Sequence, residues 1–363
     1  MIVTDSAARR GAARHYHARP AMSDEARISD PAGPDRRRRR LGLWAILVLG
    51  LSWACVMQSV GWAQTSYFAL VKSLGDGTAR IDAFHWETRD KSWTNGHFYS
   101  VKAPGMPALL MPVYEGLKAI GADDLARDAS DRAREGGARQ WTYRGLNVHA
   151  YGYDPERAVR VKALLAAQAP MIWALGLLGS VLPSLLLLLL IRWLADRWRP
   201  GLGTATALSF GTATIVMTFA INLFGHMLAA LIAFTVFVLL WRERQSAPRP
   251  LLLLGAGVLS GLAVVTEYPL ALAGAVLGVY GVLHPQVVPR LAPLAQRAAL
   301  YAAGVIAGVL PLLAYNHWAF GSFGTMSYDN AVDRQGFTGH DTLGLNSGGF
   351  FGITWPDPRV APG

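Results

Sequence analysis

The chain has 363 residues, of which 52% are hydrophobic and only 16% are charged. A soluble domain usually carries about 25% charged residues, and the hydrophobic residues here form long blocks, such as 181–191 and 228–241. Together these features exclude a soluble globular enzyme and an intrinsically disordered chain. The single cysteine, Cys55, excludes a disulfide framework and a cysteine-based metal cluster.

The formal charge of +10 is not distributed as in a nucleic-acid-binding protein. Much of the excess lies in the N-terminal tail and in short loops beside hydrophobic blocks, which is typical of membrane topology, so no nucleic-acid partner is expected. Residues 1–40 are polar and lack apolar periodicity, which predicts a disordered basic tail that starts at Met1 or at Met22. Its closing arginine run, 36–40, predicts a cytoplasmic N-terminus, with binding to anionic lipid or nucleic acid as the alternatives.

Apolar stretches long enough to cross a bilayer predict an all-α polytopic membrane protein with about seven transmembrane helices in residues 41–316. The predicted spans are 41–63, 167–192, 201–221, 224–241, 250–267, 269–284 and 297–316. With the N-terminus inside, the arginine-rich loops near Arg197, Arg244 and Arg290 fall on the cytoplasmic side. This arrangement satisfies the positive-inside rule and predicts a multi-pass protein of the plasma (inner) membrane.

Two large segments are then external, namely the first loop, 64–165, and the C-terminal segment, 317–363. Residues 103–121 of the first loop are apolar, but they contain three prolines, Glu115 and Lys118, and a span there would place the arginine-rich loops outside. We therefore predict a helix that lies in the outer membrane interface. Small residues four apart also predict close packing between helices: Gly257 with Gly261, Gly274 with Gly278, and Gly304 with Gly308.

The first external loop concentrates ionisable and aromatic residues between positions 80 and 102. Residues 64–75 have helical apolar spacing and end at the turn signal Asp76-Gly77, and Asn95-Gly96 lies between aromatic residues, which predicts a β-hairpin. The alternative is a solvated loop with ordinary caps and turns.

Further polar residues are predicted at the same face, at the outer ends of the spans: His226, Glu267, Tyr268, Asn316 and His317. Ionisable residues at membrane depth are costly and mark functional sites. The alternatives are that His226 and Asn316 cap helices and that Glu267-Tyr268-Pro269 is only a tight turn.

Four motifs in residues 41–355 carry a resemblance to a known superfamily. They are Gly-x-x-x-Ile-Asp from Gly77, Asn-Gly-His-x-Tyr-Ser-x-Lys-Ala-Pro-Gly from Asn95, Glu-Tyr-Pro from Glu267, and Tyr-Asn-x-x-x-Phe-Gly-Ser from Tyr315. The chain resembles uncharacterised bacterial relatives of the GT-C membrane glycosyltransferases, a superfamily that includes protein O-mannosyltransferases and lipid A aminoarabinose transferases. Its catalytic module is similar to the seven-span arrangement.

The resemblance implies a polyprenyl-phosphate-linked sugar donor, an external acceptor (a glycan, a lipid or a protein), contact with membrane lipids and an active external face. It also implies an acidic residue in the first loop. By position Asp82 matches that residue, with Glu87 and Asp90 as alternatives. A carboxylate base suits an acceptor hydroxyl, which is a weak nucleophile, and cations suit the departing phosphate. The candidate binding residues are Arg80, Lys91, Lys102, His226, Glu267, Tyr268 and Asn316. No cofactor is expected, and a divalent metal is left open.

Members of the superfamily commonly continue with further spans, whereas this chain has only seven residues after Pro356, so we expect a C-terminally short form. The rival interpretation is a non-catalytic or truncated relative that acts in cell-envelope assembly. A transporter fits less well, because transporters place charges near the bilayer midplane and show internal repeats. The glycosyltransferase interpretation predicts that Asp82, Lys102, His226 and Glu267 line one cavity at the outer face.

Overall fold

A computed structural model describes residues 32–56, 60–135, 167–328 and 331–332. The protein is mostly helical, with 73% helix and eleven helices in the described part. They are α1 Ala32–Ala54, α2 Trp62–Gly75, α3 Gly105–Ala119, α4 Ala122–Glu135, α5 Ala167–Trp198, α6 Gly203–Thr212, α7 Val216–Ala220, α8 His226–Glu243, α9 Pro250–Thr266, α10 Leu270–Val282 and α11 Leu291–Phe320. By its contacts the chain divides into Met1–Leu43 and Trp44–Gly363, and the first unit contributes only the beginning of α1 to the described residues.

Three helices, α5, α8 and α11, are long and apolar enough to cross a membrane. Three shorter helical segments, Arg40–Ala54, Pro250–Thr266 and Leu270–Val282, are also apolar. These features are those of a helical membrane protein, as the composition predicts.

The first predicted span differs from the helix that forms. The helix α1 begins at Ala32 and ends at Ala54, so it includes residues 32–40 of the predicted tail and excludes 55–63 of the predicted span. Arginine has a high helix propensity, and extending an existing helix costs far less than nucleating a new one. After the break, α2 begins at Trp62. Gly61, which precedes it, is extended, and its N–H donates to the Gln64 side chain. Residues 1–31 of the tail lie outside the described residues.

The predicted span 201–221 is also divided, into α6 and α7. The break lies at Thr214, whose hydroxyl donates to the Phe210 carbonyl (2.6 Å) and accepts from the Val216 N–H (3.3 Å). A threonine hydroxyl that competes for backbone partners interrupts a helix. Neither piece is long enough to cross a bilayer alone.

Helices α9 and α11 approach each other closely through glycines. A Cβ atom on Gly308 would lie 2.2 Å from the Val258 carbonyl oxygen, and one on Gly257 would lie 2.3 Å from that of Tyr301. Gly261 and Gly304 meet the facing backbone at similar distances. The predicted close packing is therefore confirmed for these two helices, and only glycine permits the observed separation.

At one end of α8–α11, a buried ion pair joins two helices. Glu243 ends α8 and is 1% exposed, and it accepts two bonds from the Arg297 guanidinium, at 2.8 and 2.7 Å. Arg297 also donates to the Gly281 carbonyl (2.8 Å), and the Arg249 N–H donates to Glu243 (2.9 Å). The helix predicted to begin at Arg297 instead begins at Leu291. The sequence pattern assigns the charge of Arg297 to a loop, but Glu243 neutralises that charge, and Arg297 therefore lies inside the helix.

The loop predicted to be external folds, as predicted, around a hairpin. The strands β1 (Lys91–Thr94) and β2 (His97–Ser100) are antiparallel, and positive φ angles at Asn95 (51°) and Gly96 (82°) form the turn. A third strand, β3 (Ala331–Val332), pairs antiparallel with β1, so the C-terminal segment returns to the first loop.

The helix predicted over 103–121 forms as α3 and packs on α2, with Met106, Leu110 and Tyr114 buried. Its orientation in a membrane remains a prediction. Residues 136–166, 329–330 and 333–363, most of which belong to the segments predicted to be external, lie outside the described residues.

Candidate functional site

Three separate helices meet at a small group of polar side chains, which are those of Tyr67, Glu267 and His226. Tyr67 lies on α2, Glu267 caps the C-terminus of α9, and His226 begins α8. The Tyr67 hydroxyl donates to Glu267 Oε1 at 2.7 Å, and His226 Nδ1 lies 3.3 Å from the same oxygen. Burial, and then the Glu267 carboxylate, raise the pKa of the Tyr67 phenol well above its usual value, so the phenol remains a hydrogen-bond donor at neutral pH.

A second pair, Asp90 and Lys102, lies on the other side of Tyr67. Lys102 Nζ is 2.5 Å from Asp90 Oδ2, and it lies over the Tyr67 ring at 5.7 Å from the centroid. Ser66, the neighbour of Tyr67 on α2, donates to the Asp90 carbonyl at 2.5 Å. Both charged side chains are partly accessible, at 16% for Lys102 and 21% for Asp90.

Carboxylates from both groups act on one phenol, that of Tyr328. Burial raises the pKa of Tyr328, and the carboxylates of Glu267 and Asp90 contribute in the same direction. We call the set of Tyr67, Asp90, Lys102, His226 and Glu267 the polar cluster. It combines two carboxylates, one ammonium group, one imidazole and one phenol.

Gly225 makes the packing of the cluster possible. A Cβ atom at this position would lie 2.6 Å from Glu267 Oε1 and 2.9 Å from the Tyr67 hydroxyl. The residue before α8 must therefore be glycine for His226 and Glu267 to meet Tyr67. Phe219 stacks on the His226 ring at 4.4 Å and holds the imidazole in place.

An apolar groove of about 650 Å³ reaches the polar cluster at His226. Its walls come from α5, α6, α7 and α8. They include Leu187, Ile191, Phe210, Phe219, Ala230 and Phe234, and Trp198 and Arg199 also line it. The groove therefore joins an apolar channel to an ionisable group, and a lipid with a charged headgroup has that same combination.

Glu87 lies in a different environment, beside Lys72. The two side chains form an ion pair at 2.6 Å and are 5% and 6% exposed. Burial lowers the pKa of Lys72, and the Glu87 carboxylate opposes that shift. The pair lines a cavity of about 380 Å³ together with Tyr114 and Gln168. Glu87 is thus neutralised by a buried partner and does not join the polar cluster.

Asp82 is placed differently from the prediction. Its carboxylate accepts a bond from the Phe98 N–H (2.7 Å) and contacts His97 Nδ1 (2.7 Å), and 43% of the side chain is exposed. Both oxygens therefore hold the β-hairpin. Asp90, and not Asp82, is the carboxylate that pairs with Lys102, and a cavity shared by Asp82 and Lys102 stays a prediction.

The remaining predicted residues serve local contacts. Lys91 is buried, with Nζ donating to the His85 carbonyl at 2.8 Å, and Arg80 forms a β-bridge with Tyr99. Tyr268 lies 3.3 Å from the Ser327 hydroxyl. Asn316 does not close α11, which continues to Phe320, and it donates to the Phe323 carbonyl at 3.3 Å.

Tyr67, Ser66 and Gly225 are missing from the sequence-based candidates. Tyr67 belongs to the apolar periodicity of α2, and that pattern alone gives no reason to treat it as a donor. The only usable signal is a tyrosine on a helix that carries buried polar residues, including Gln64 and Ser66. Within the described ranges, no three His, Cys, Asp or Glu side chains gather as metal ligands would.

Comparison of the chain with protein-family models, with curated proteins and with solved structures gives no match.

Proposed function

We propose that this protein is a GT-C-type membrane glycosyltransferase, which moves a sugar from a polyprenyl-phosphate-linked donor to an acceptor at the external face. The observation that carries the proposal is the polar cluster at one end of the apolar groove. A polyprenyl phosphate sugar needs both parts, since its chain is apolar and its phosphate is anionic. The groove would take the first isoprene units, and the cluster would take the phosphate and the sugar.

The cluster contains the groups that the transfer requires. Lys102 and His226, in its protonated form, would contact the phosphate and stabilise the charge that develops as the phosphate departs. Glu267 accepts from Tyr67 and lies 3.3 Å from His226, so it would hold the imidazole in position. Asp90 would accept the proton of the acceptor hydroxyl.

In the proposed reaction the acceptor oxygen forms a bond to C1 of the sugar as the bond from C1 to the phosphate oxygen breaks. The hydroxyl proton moves to Asp90, and the electron pair of the broken bond leaves with the polyprenyl phosphate. A single displacement of this kind inverts the configuration at C1. The oxocarbenium-like character of the transition state suits a cluster with two carboxylates.

Asp90 replaces Asp82 in the proposed role of base. The Asp82 carboxylate is engaged with His97 and with the Phe98 backbone, whereas Asp90 is paired with a cation in the cluster. The resemblance favours Asp82 by position, and the contacts favour Asp90.

The test is a transfer assay with the full chain reconstituted in vesicles that contain defined polyprenyl phosphate sugars, with release of polyprenyl phosphate as the readout. We expect Asp90→Asn to lower turnover by about 10²–10⁴ and Asp82→Asn to retain most of it. Lys102→Gln should raise the KM for the donor more than it lowers kcat, because a partner of the phosphate is lost.

A reversed pattern, with Asp82→Asn inactive and Asp90→Asn near normal, would return the role of base to Asp82. If no polyprenyl phosphate sugar is consumed by the wild-type chain, the transferase proposal fails. Each variant is compared with wild type by thermal unfolding in the same detergent, so that a folding defect is recognised.

The seven-span topology belongs to the same proposal. The crossings would be α1, α5, α6 with α7, α8, α9, α10 and α11. In this arrangement His226 and Glu267 lie at the outer face, and Glu243 and Arg297 lie at the cytoplasmic face. The loop arginines support this orientation through the positive-inside rule.

A non-catalytic role in cell-envelope assembly is the second candidate, and the exposed position of Asp82 favours it. Such a protein would bind the lipid-linked sugar without consuming it. Donor binding with no release of polyprenyl phosphate would support this role.

A further inference from the structure

The groove has a second end, far from His226, that is basic and aromatic. Along α5 its lining runs from Leu187 to Arg199, about 18 Å. One leaflet of a bilayer contributes about 15 Å of hydrocarbon. At this end the lining side chains are Trp198, which is 58% exposed, and Arg199.

Three tryptophans cluster here, on α5 and α8. The Trp241 ring lies 6.3 Å from those of both Trp193 and Trp198. The guanidinium of Arg197 lies 4.9 Å from the Trp193 ring centroid, and that of Arg242 lies 5.8 Å from it. Tryptophan concentrates at the level of lipid headgroups, where its ring is amphipathic. The residue types at this end of the groove are therefore those that membrane proteins place at the level of the lipid headgroups.

The nearby acidic side chains are already engaged. Asp196 accepts bonds from the backbone N–H groups of Gly201 (3.2 Å) and Gly203 (2.8 Å). Glu243 is paired with Arg297. Among the described residues, Arg199 and Arg242 form no ion pair with a carboxylate, and Arg197, Arg199 and Arg242 outnumber the Asp196 carboxylate, so this end of the groove carries net positive charge.

We propose that this basic end binds the phosphate of an anionic phospholipid, with one acyl chain lying in the groove. Arg199 and Arg242 would supply the charge, and the tryptophan rings would pack against the glycerol region. Basic pockets between membrane helices bind anionic headgroups in this way, and each arginine near the surface strengthens binding. The inference shares the groove with the proposed sugar donor, but it uses neither His226 nor the rest of the polar cluster, so it can be tested without a donor.

The test uses the full chain in phosphatidylcholine vesicles without polyprenyl donor, because a donor tail would enter the same groove. Spin-labelled phosphatidylglycerol or phosphatidylcholine, with identical acyl chains, reports the motionally restricted fraction of lipid. We expect phosphatidylglycerol to associate several-fold more strongly, and added salt to reduce that preference.

The double variant Arg199→Gln/Arg242→Gln should lose this several-fold preference, so that the two lipids associate about equally. Arg290→Gln is the matched control, since Arg290 is an exposed arginine that precedes α11 and does not line the groove. Ala230→Phe, which fills the groove, should reduce the restricted fraction even with all arginines present. This variant tests the proposal even if the double variant does not fold.

Equal association of the two lipids with wild type, or a preference that survives in the folded double variant, would overturn the proposal. Displacement of phosphatidylglycerol by inorganic phosphate at constant ionic strength would also overturn it, because the site would then recognise a soluble anion. Loss of the preference in both the double variant and Arg290→Gln would indicate only a diffuse surface charge, which is contrary to the proposal.

Discussion

At the residue scale, two buried ion pairs join separate elements. One joins a helix to a loop, and the other joins two helices. Lys72 and Glu87 join α2 to the loop that precedes β1, and Lys72 also lies 4.0 Å from the Phe84 ring centroid. Glu243 and Arg297 join α8 to α11 with two parallel hydrogen bonds. Removing one member of such a pair leaves an uncompensated charge, which costs more than the pair itself contributes.

Arg297→Met should destabilise the protein strongly, by about 3–5 kcal/mol, because the buried Glu243 carboxyl group would lose its partner. The double variant Glu243→Met/Arg297→Met should recover most of this loss, since no charge is then buried. Unfolding in detergent, followed by circular dichroism, measures both effects. Arg290→Met, at an exposed site before α11, is the control and should change stability by less than about 0.5 kcal/mol. A single variant as stable as wild type would contradict the role assigned to the pair.

At the element scale, the main stabilising contact between helices is the close crossing of α9 and α11. The two helices approach so closely that backbone atoms of one face glycines of the other. Dispersion contacts of this kind drive helix association in a membrane, where burial of apolar surface contributes little. The effect depends on position, because one further glycine of α9, Gly255, faces open space. A Cβ atom built there has nothing within 4 Å.

Gly308→Ala should separate α9 from α11 and lower stability by about 1–3 kcal/mol, the usual range for overpacking. Gly255→Ala is the matched control on α9, and it should be neutral or stabilising by up to about 1 kcal/mol, because alanine favours the helix. Thermal unfolding of both variants in the same detergent gives the comparison. Equal effects of the two substitutions would show that the crossing is not limited by Gly308.

At the scale of the whole molecule, two pairs of ionisable residues lie toward opposite ends of α8–α11. His226 and Glu267 lie at one end, next to the first loop and its hairpin. Glu243 and Arg297 lie at the other, with the basic and aromatic surface beyond them. The apolar groove extends between these ends along α5 and α8. This polarity is the arrangement that a membrane protein with one external working face would need.

Topology is tested by cysteine labelling in a Cys55→Ser background. A cysteine at position 245, in the turn after α8, should react only with reagent from the cytoplasmic side. One at position 130, on α4, should react only with reagent from outside. The physical reason is the excess of arginine in the short loops. External labelling at 245 would rule out the seven-span orientation.

By itself, the sequence determined the membrane class, most helix positions, the hairpin turn and the glycine contacts between α9 and α11. These features depend on local patterns: the length of apolar runs, the φ preference of Asn95-Gly96, and the spacing of small residues. The sequence did not determine where helices break, because Thr214 interrupts 201–221 through hydrogen bonds that composition does not show.

Only the tertiary structure decided which ionisable residues meet. Asp82 and Asp90 are eight positions apart and look equivalent in sequence, yet one holds a hairpin and the other pairs with Lys102. Tyr67 and Glu267 are 200 positions apart, and no local pattern predicts their 2.7 Å hydrogen bond. The reason is physical: a carboxylate takes whichever donors the packing of distant elements brings within reach, and that packing is set by contacts far away along the chain.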